Sequence, residues 1–138
     1  MNDATWKSFE LGPEEGGWEP AGYNITVDGA EYGRWRRVLR RHSHGLTVVS
    51  HYKAPPGKGW RIVGRASELG EEVYVLKGAY YNPAGKIIAR PGSYMFNAPG
   101  AQHGGISTDL TILIHCCSGE PDEIVSIDLI DFEPAEEL

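Results

Sequence analysis

Short apolar runs punctuated by glycine and proline set the rhythm of this chain. YNITV, WRRVL, GLTVVSHYK, WRIVGRA, EEVYVLKGAYY, KIIA, SYMFN, DLTILIHCC and EIVSIDLIDF are each about strand length and rich in Val, Ile, Tyr and Leu. Between them fall GPEEGG, VDGAEYG, APPGKG, ELGEE, NPAGK, RPGS, NAPGAQHGG and SGEPDE. Short β-prone segments at that spacing predict an all-β sandwich or barrel. No segment holds a helical period over the roughly twelve residues a helix needs. YYNPAGKIIA reads as a hairpin, because NPAG supplies the turn chemistry between two strands.

Length and composition narrow this picture without changing it. A chain of 138 residues, 41% hydrophobic and 23% charged, predicts one domain with a sizeable core. The expected division is a polar, acidic arm over 1–17, a barrel over 18–132 and a tail over 133–138, its PAEEL frayed. No run approaches the roughly 18–20 apolar residues that cross a bilayer, so no membrane partner is expected. The opening MNDATWKSFELGPEEGG has neither the basic nor the apolar region of a secretory signal. Cys116 and Cys117 are neighbours whose side chains would leave a strand on opposite faces, which disfavours a disulfide between them. Reduced thiols in a cytoplasmic protein are the expectation.

A net charge of −6 argues against nucleic acid as a partner. RWRRVLRR, residues 34–41, is the local exception. Without a nucleic-acid-binding motif around it, it reads as a strand whose arginines pair with the acidic arm or the acidic carboxyl-terminal segment.

Two stretches carry the candidate chemistry. GEEVYVLKG, residues 70–78, opens with two carboxylates and ends in glycine, six residues separating Glu71 from Gly78. GSYMFNAPGAQH, residues 92–103, gives a glycine, seven residues, a second glycine, two residues and His103. These spacings resemble the two motifs of the cupin superfamily. Together with GWEPAGYNI and APPGKGW they most resemble the small single-domain cupins typified by the ChrR cupin domain, over about residues 18 to 130.

The resemblance implies a conical antiparallel β-barrel with a cavity open at one end. It also implies a divalent metal held by a His-x-His pair, a glutamate and a second-motif histidine. Glu71 falls on the glutamate and His103 on the histidine, whereas the His-x-His positions, four and six residues before Glu71, are Ser67 and Arg65. Ala98 stands where the second motif usually has its first proline. Serine is a poor ligand and arginine a permanent cation, so the family metal site is expected to be lost or weakened. An inward Arg65 would instead form a charge-assisted pair with Glu71. The cofactor stays open between a divalent metal (Fe, Zn, Mn or Ni) and none, with His51 and His115 as possible extra ligands. His42 and His44 share a strand-face spacing but come too early for the motif.

Alternation alone does not decide between Glu71 and Glu72, since each shares a face with apolar residues; the spacing to Gly78 favours Glu71. Ser67, Tyr74, Tyr94, Phe96, His51 and Trp60 are candidates for lining the ligand site, aromatic walls suiting a small organic ligand. The catalytic candidates are His103, Glu71 and Arg65, as acid–base groups and anion stabiliser. Two functions follow: an enzyme acting on a carbonyl or phenolic compound, dioxygenase-like, isomerase or lyase; or a non-catalytic, ligand-binding or regulatory cupin. A homodimer is the expected assembly.

Overall fold

The computed structural model describes residues 17–43, 45–66, 68–117 and 123–138, the side chains of His42 and Glu123 excepted. Ser67, His44, the His42 side chain and all of the expected arm except Gly17 lie outside the described residues. Within them the chain forms β1 (Glu19–Pro20), β2 (Ile25–Val27), β3 (Ala30–His42), β4 (Gly45–Lys53), β5 (Lys58–Arg65) and β6 (Glu71–Gly78). It continues through β7 (Tyr80–Tyr81), β8 (Ile87–Ala89), β9 (Tyr94–Asn97), β10 (Gln102–Ser107), β11 (Asp109–Cys116) and β12 (Glu123–Asp131). RWRRVLRR lies in β3, as a strand.

Every pairing is antiparallel. The larger sheet runs β1-β3-β4-β11-β6-β9, with β2 also on β3; the smaller runs β12-β5-β10-β7-β8. From β4 onward the chain changes sheet at each connection except the β7–β8 hairpin. The expected jelly-roll-like barrel is therefore built as two facing sheets, joined by crossovers and not by continuous hydrogen bonding.

Period-two burial explains how the sheets face each other. On β6 the buried residues are Glu71, Val73 and Val75, alternating with Glu72, Tyr74 and Leu76. On β11 they include Leu110, Ile112, Ile114 and Cys116. These meet Leu46, Val48, Tyr52, Trp60 and Ile62 in the core between the sheets. Fully burying side chains of this size contributes about 1.5–3 kcal/mol each. A smaller cluster of Ala79, Tyr81, Ile106 and Phe132 covers the far side of the small sheet.

Local chemistry fixes the turns. In the hairpin the Asn82 side chain accepts hydrogen bonds from the amides of Ala84 and Lys86, both at 3.0 Å, and caps the predicted NPAG turn. Gly78, closing β6, has φ +77°, and a Cβ there would lie 1.8 Å from the Asp109 carbonyl oxygen. Only glycine fits that crossing. The tail expected to fray is tied down instead. The amides of Ala135 and Glu136 bond to the Gly85 carbonyl, and the Glu136 carboxylate accepts from the Ile87 amide at 2.9 Å.

Candidate functional site

Glu71 and His103 approach each other from opposite sheets. Glu71 begins β6, directly across from Asn97 of β9, so both side chains leave the large sheet on its inner face. The chain then turns through residues 98–101: the Ala101 amide donates to the Ala98 carbonyl, the Gly100 amide to the Ala66 carbonyl, and the Ala66 amide to the Ala101 carbonyl. β10 thus begins in the small sheet, with His103 across from Gly64 of β5. PGSYMFNAPGAQHGG is the crossover that carries a histidine over to a carboxylate.

Glu71 is 1% exposed. Its Oε1 accepts a hydrogen bond from Asn97 Nδ2 at 3.0 Å and lies 3.1 Å from His103 Nε2, within ion-pair distance. Its Oε2 is equally buried and has no hydrogen-bond partner among the described residues. A buried carboxylate oxygen in that state is costly unless a ligand or proton meets it. Glu71, Asn97 and His103 line a cavity of about 100 Å³, walled by Tyr52, Ile62, Val73, Tyr80, Met95 and Ile112 among others. Gly105 makes room for one of these walls, since a Cβ there would stand 2.9 Å from the Tyr80 ring.

Several sequence expectations need correction. Arg65 does not turn inward beside Glu71. Along β5 the buried positions are Gly59, Trp60, Ile62 and Gly64, while Arg61 and Arg65 are exposed. The small sheet therefore meets the Glu71–His103 pair with Gly64, and the next buried residue is Ala66. Tyr74, Tyr94 and Phe96, expected to line the ligand site, are exposed on the opposite face of the large sheet. Trp60 is core: its indole N–H donates to the Lys53 carbonyl at 2.8 Å. The aromatic side chains in the cavity wall are Tyr52 and Tyr80.

The two extra histidines also stand outside the cavity. His51 is buried under Trp35, stacked at 5.9 Å between ring centroids, and Trp18, edge-on at 6.3 Å. Its Nδ1 is 3.0 Å from Thr111 Oγ1 and 3.8 Å from an Asp109 oxygen. Burial holds its pKa below 6.5, with Asp109 opposing and Lys77 and Lys53 reinforcing that shift. His115 is half-buried on the same outer face, across from Glu72 and Thr47. Cys116 is buried in the core and Cys117 half-buried, both as reduced thiols. Burial, then the carboxylates of Glu72 and Glu71, pushes the Cys117 thiol up.

Asn97 and Tyr52 are the site residues that the motif spacing misses. Asn97 is reachable by phase: directly paired strand residues share a face, so fixing Glu71 inward fixes its partner inward too.

A catalytic zinc or non-haem iron centre takes at least three protein ligands. Here the cavity offers a carboxylate, an imidazole and a carboxamide whose nitrogen is turned to Glu71, and β5 brings only Ile62 and Gly64. Among the described residues no three His, Cys, Asp or Glu side chains converge there. Among the described residues that donor set does not fit the divalent metal the fold implies.

Comparison with known proteins agrees with this architecture. Comparison with curated proteins found no match. Among solved structures, an RmlC-like cupin from Ralstonia eutropha aligns with TM-score 0.54 at 11% identity, over 94% of this chain and 83% of that one. An acetylacetone dioxygenase from Acinetobacter johnsonii aligns with TM-score 0.52 at 13% identity, over 94% and 90%. A cupin-2 domain protein from Rhodospirillum rubrum aligns with TM-score 0.52 at 16% identity, over 88% and 84%. At these identities the likeness is one of fold. The model of the ChrR cupin-like domain matches residues 26–121, and with the two facing sheets and the Glu71–His103 crossover this places the chain in the ChrR-like cupin family.

Proposed function

We propose that this cupin binds a small carbonyl compound in its cavity and moves protons on it with Glu71 and His103, without a resident metal. The observation that carries the reading is Glu71 Oε2, a buried carboxylate oxygen in the wall of a cavity, without a hydrogen-bond partner among the described residues. Asn97 donates to Oε1, which fixes the carboxylate and leaves Oε2 to act as base on a carbon-bound proton, with His103 Nε2 3.1 Å from Oε1. His103 Nε2 is on the same side of the cavity and can give a proton to the carbonyl oxygen as the enol forms, then take it back. The net change is a proton transfer next to a carbonyl, with no oxidant or reductant consumed. Arg65 has no part in it, because it faces solvent.

Cavity size supports a small substrate. An engineered cavity of about 150 Å³ just holds benzene, and this one is about 100 Å³. A compact ketone or hydroxyketone fits better than a phenol. Oxygenase chemistry needs a metal centre that the donor set does not supply, so no such step is assigned. The same shortage of donors favours a second reading, a cavity that binds such a ligand without turning it over.

The test is hydrogen–deuterium exchange at the carbon next to the carbonyl. Small ketones and hydroxyketones would be incubated with the protein in deuterated water and followed by proton NMR. Faster exchange in wild type that is lost in Glu71→Gln supports the enzyme. Shifts of the Gly64 and His103 amides without exchange support the binding reading. Neither exchange nor shifts across the series would sink both.

A further inference from the structure

The outer face of the large sheet holds a second cluster of ionisable groups that the cavity does not use. Glu72 of β6 and His115 of β11 are direct cross-strand partners. Cys117 lies two residues beyond His115, on the same face, and its amide extends the ladder by bonding to the Gly70 carbonyl at 3.1 Å. One donor atom from each of the three side chains lies within 4.8 Å of the other two, and all three residues are half-buried. Two hydroxyls hold the donors from outside. Thr47 Oγ1 is 3.1 Å from His115 Nδ1, and the Tyr94 hydroxyl donates to Glu72 Oε1 at 3.0 Å.

We infer that Glu72, His115 and Cys117 form a binding site for a thiophilic divalent cation, zinc above all, on the face opposite the cavity. Thiolate, imidazole and carboxylate together match the preferences of zinc and exclude magnesium and calcium, which take oxygen ligands. Ligands at zinc distances in a tetrahedron stand about 3.4–3.8 Å apart, so closing from within 4.8 Å takes side-chain rotation, not strand movement. Thr47 at His115 Nδ1 and Tyr94 at Glu72 Oε1 hold the ring and the carboxylate in place. This is the outer layer of hydroxyl partners by which metal sites orient their ligands. Binding converts the Cys117 thiol to a thiolate and releases its proton to solvent. Three protein ligands leave a fourth position for water or for a side chain from another molecule.

Cobalt(II) reports on this site directly, because a cobalt–thiolate bond gives a charge-transfer band in the near ultraviolet. Titrating the purified full-length chain under reducing conditions should produce the band at one equivalent, with zinc displacing it. The band should vanish in Cys117→Ser and in His115→Gln. It should weaken in Thr47→Val and Tyr94→Phe, with affinity falling about 10–100-fold. It should be unchanged in His103→Ala, which separates the outer site from the cavity. No thiolate band in wild type, a band surviving Cys117→Ser, or one abolished by His103→Ala would each overturn the assignment. Should Cys117→Ser fail to fold, alkylation of the native protein decides: iodoacetamide should label Cys117 freely without zinc and slowly with it, and equal rates would count against the site.

Discussion

Glu71 and Glu72 are neighbours in the chain and live in different chemical worlds. Glu71 faces the core beside Asn97 and His103, in a cavity to which the facing strand β5 brings Ile62 and Gly64. Glu72 faces outward beside Tyr94, His115 and Cys117. A strand's two-residue period sends Cys116 and Cys117 to opposite faces in the same way. The difference shows that donor residues matter by phase as much as by type. Among the described residues the inner face has the family's glutamate and histidine but too few donors for a metal, and the outer face has three donors of which only Glu72 lies in a family motif.

The sharpest way to break this comparison is to exchange the roles of the two carboxylates. Glu71→Gln should reduce proton exchange on a cavity ligand about 10²–10⁴-fold, the usual contribution of a positioned acid or base. Glu72→Gln should leave that rate unchanged while lowering cobalt affinity. Equal effects in both assays would dissolve the distinction. A second variant tests the inner wall. Gly64→His with Ala66→His should add two imidazoles and give the cavity stoichiometric nickel or zinc binding, read by metal analysis and sensitive to His103→Ala. Failure to gain metal would show that shape, not missing donors, is what excludes it.

The next effects concern stability. Leu110→Ala, on the inner face at 0% exposure, should cost about 2–5 kcal/mol in chemical denaturation. Leu76→Ala, exposed on the outer face, should stay within about 0.5 kcal/mol. The smallest effect is a pH dependence from His51. Its folded pKa is held below 6.5 by burial, so on acidification the unfolded chain takes up this proton first. That contribution to stability is intact above pH 6.5 and is lost as pH falls from 6.5 toward the folded value. His51→Gln should flatten the denaturation midpoint across that window, and an unchanged slope would assign the dependence elsewhere.

Much of this is legible in the chain itself. Glycine-and-proline punctuation marks the strands and the NPAG hairpin, and motif spacing picks Glu71 over Glu72. What fails is counting across a loop. Stepping back from Glu71 puts Arg65 and Ser67 at the ligand positions, but Gly70 sits at φ +83°, a left-handed turn that breaks strand alternation. The phase of β5 is set by its own pairing with β10 and β12, which turns Gly64 inward and Arg65 out. Tyr74, Tyr94 and Phe96 fail differently: with Glu71 inside, period two already puts Tyr74 outside, and pairing carries Tyr94 and Phe96 with it. The outer metal site has no sequence signature, because Glu72 and His115 are joined only by strand register.

The docked carboxyl terminus has a consequence for colloidal behaviour. β8 is one of the two outer strands of the small sheet and carries Ile88, 55% exposed. Such an edge is a template for another molecule's strand. Glu136 occupies the Ile87 amide with its carboxylate and brings a negative charge to that edge. With that donor occupied and a carboxylate beside it, this edge offers less of a template to another strand than its apolar side chain alone would suggest.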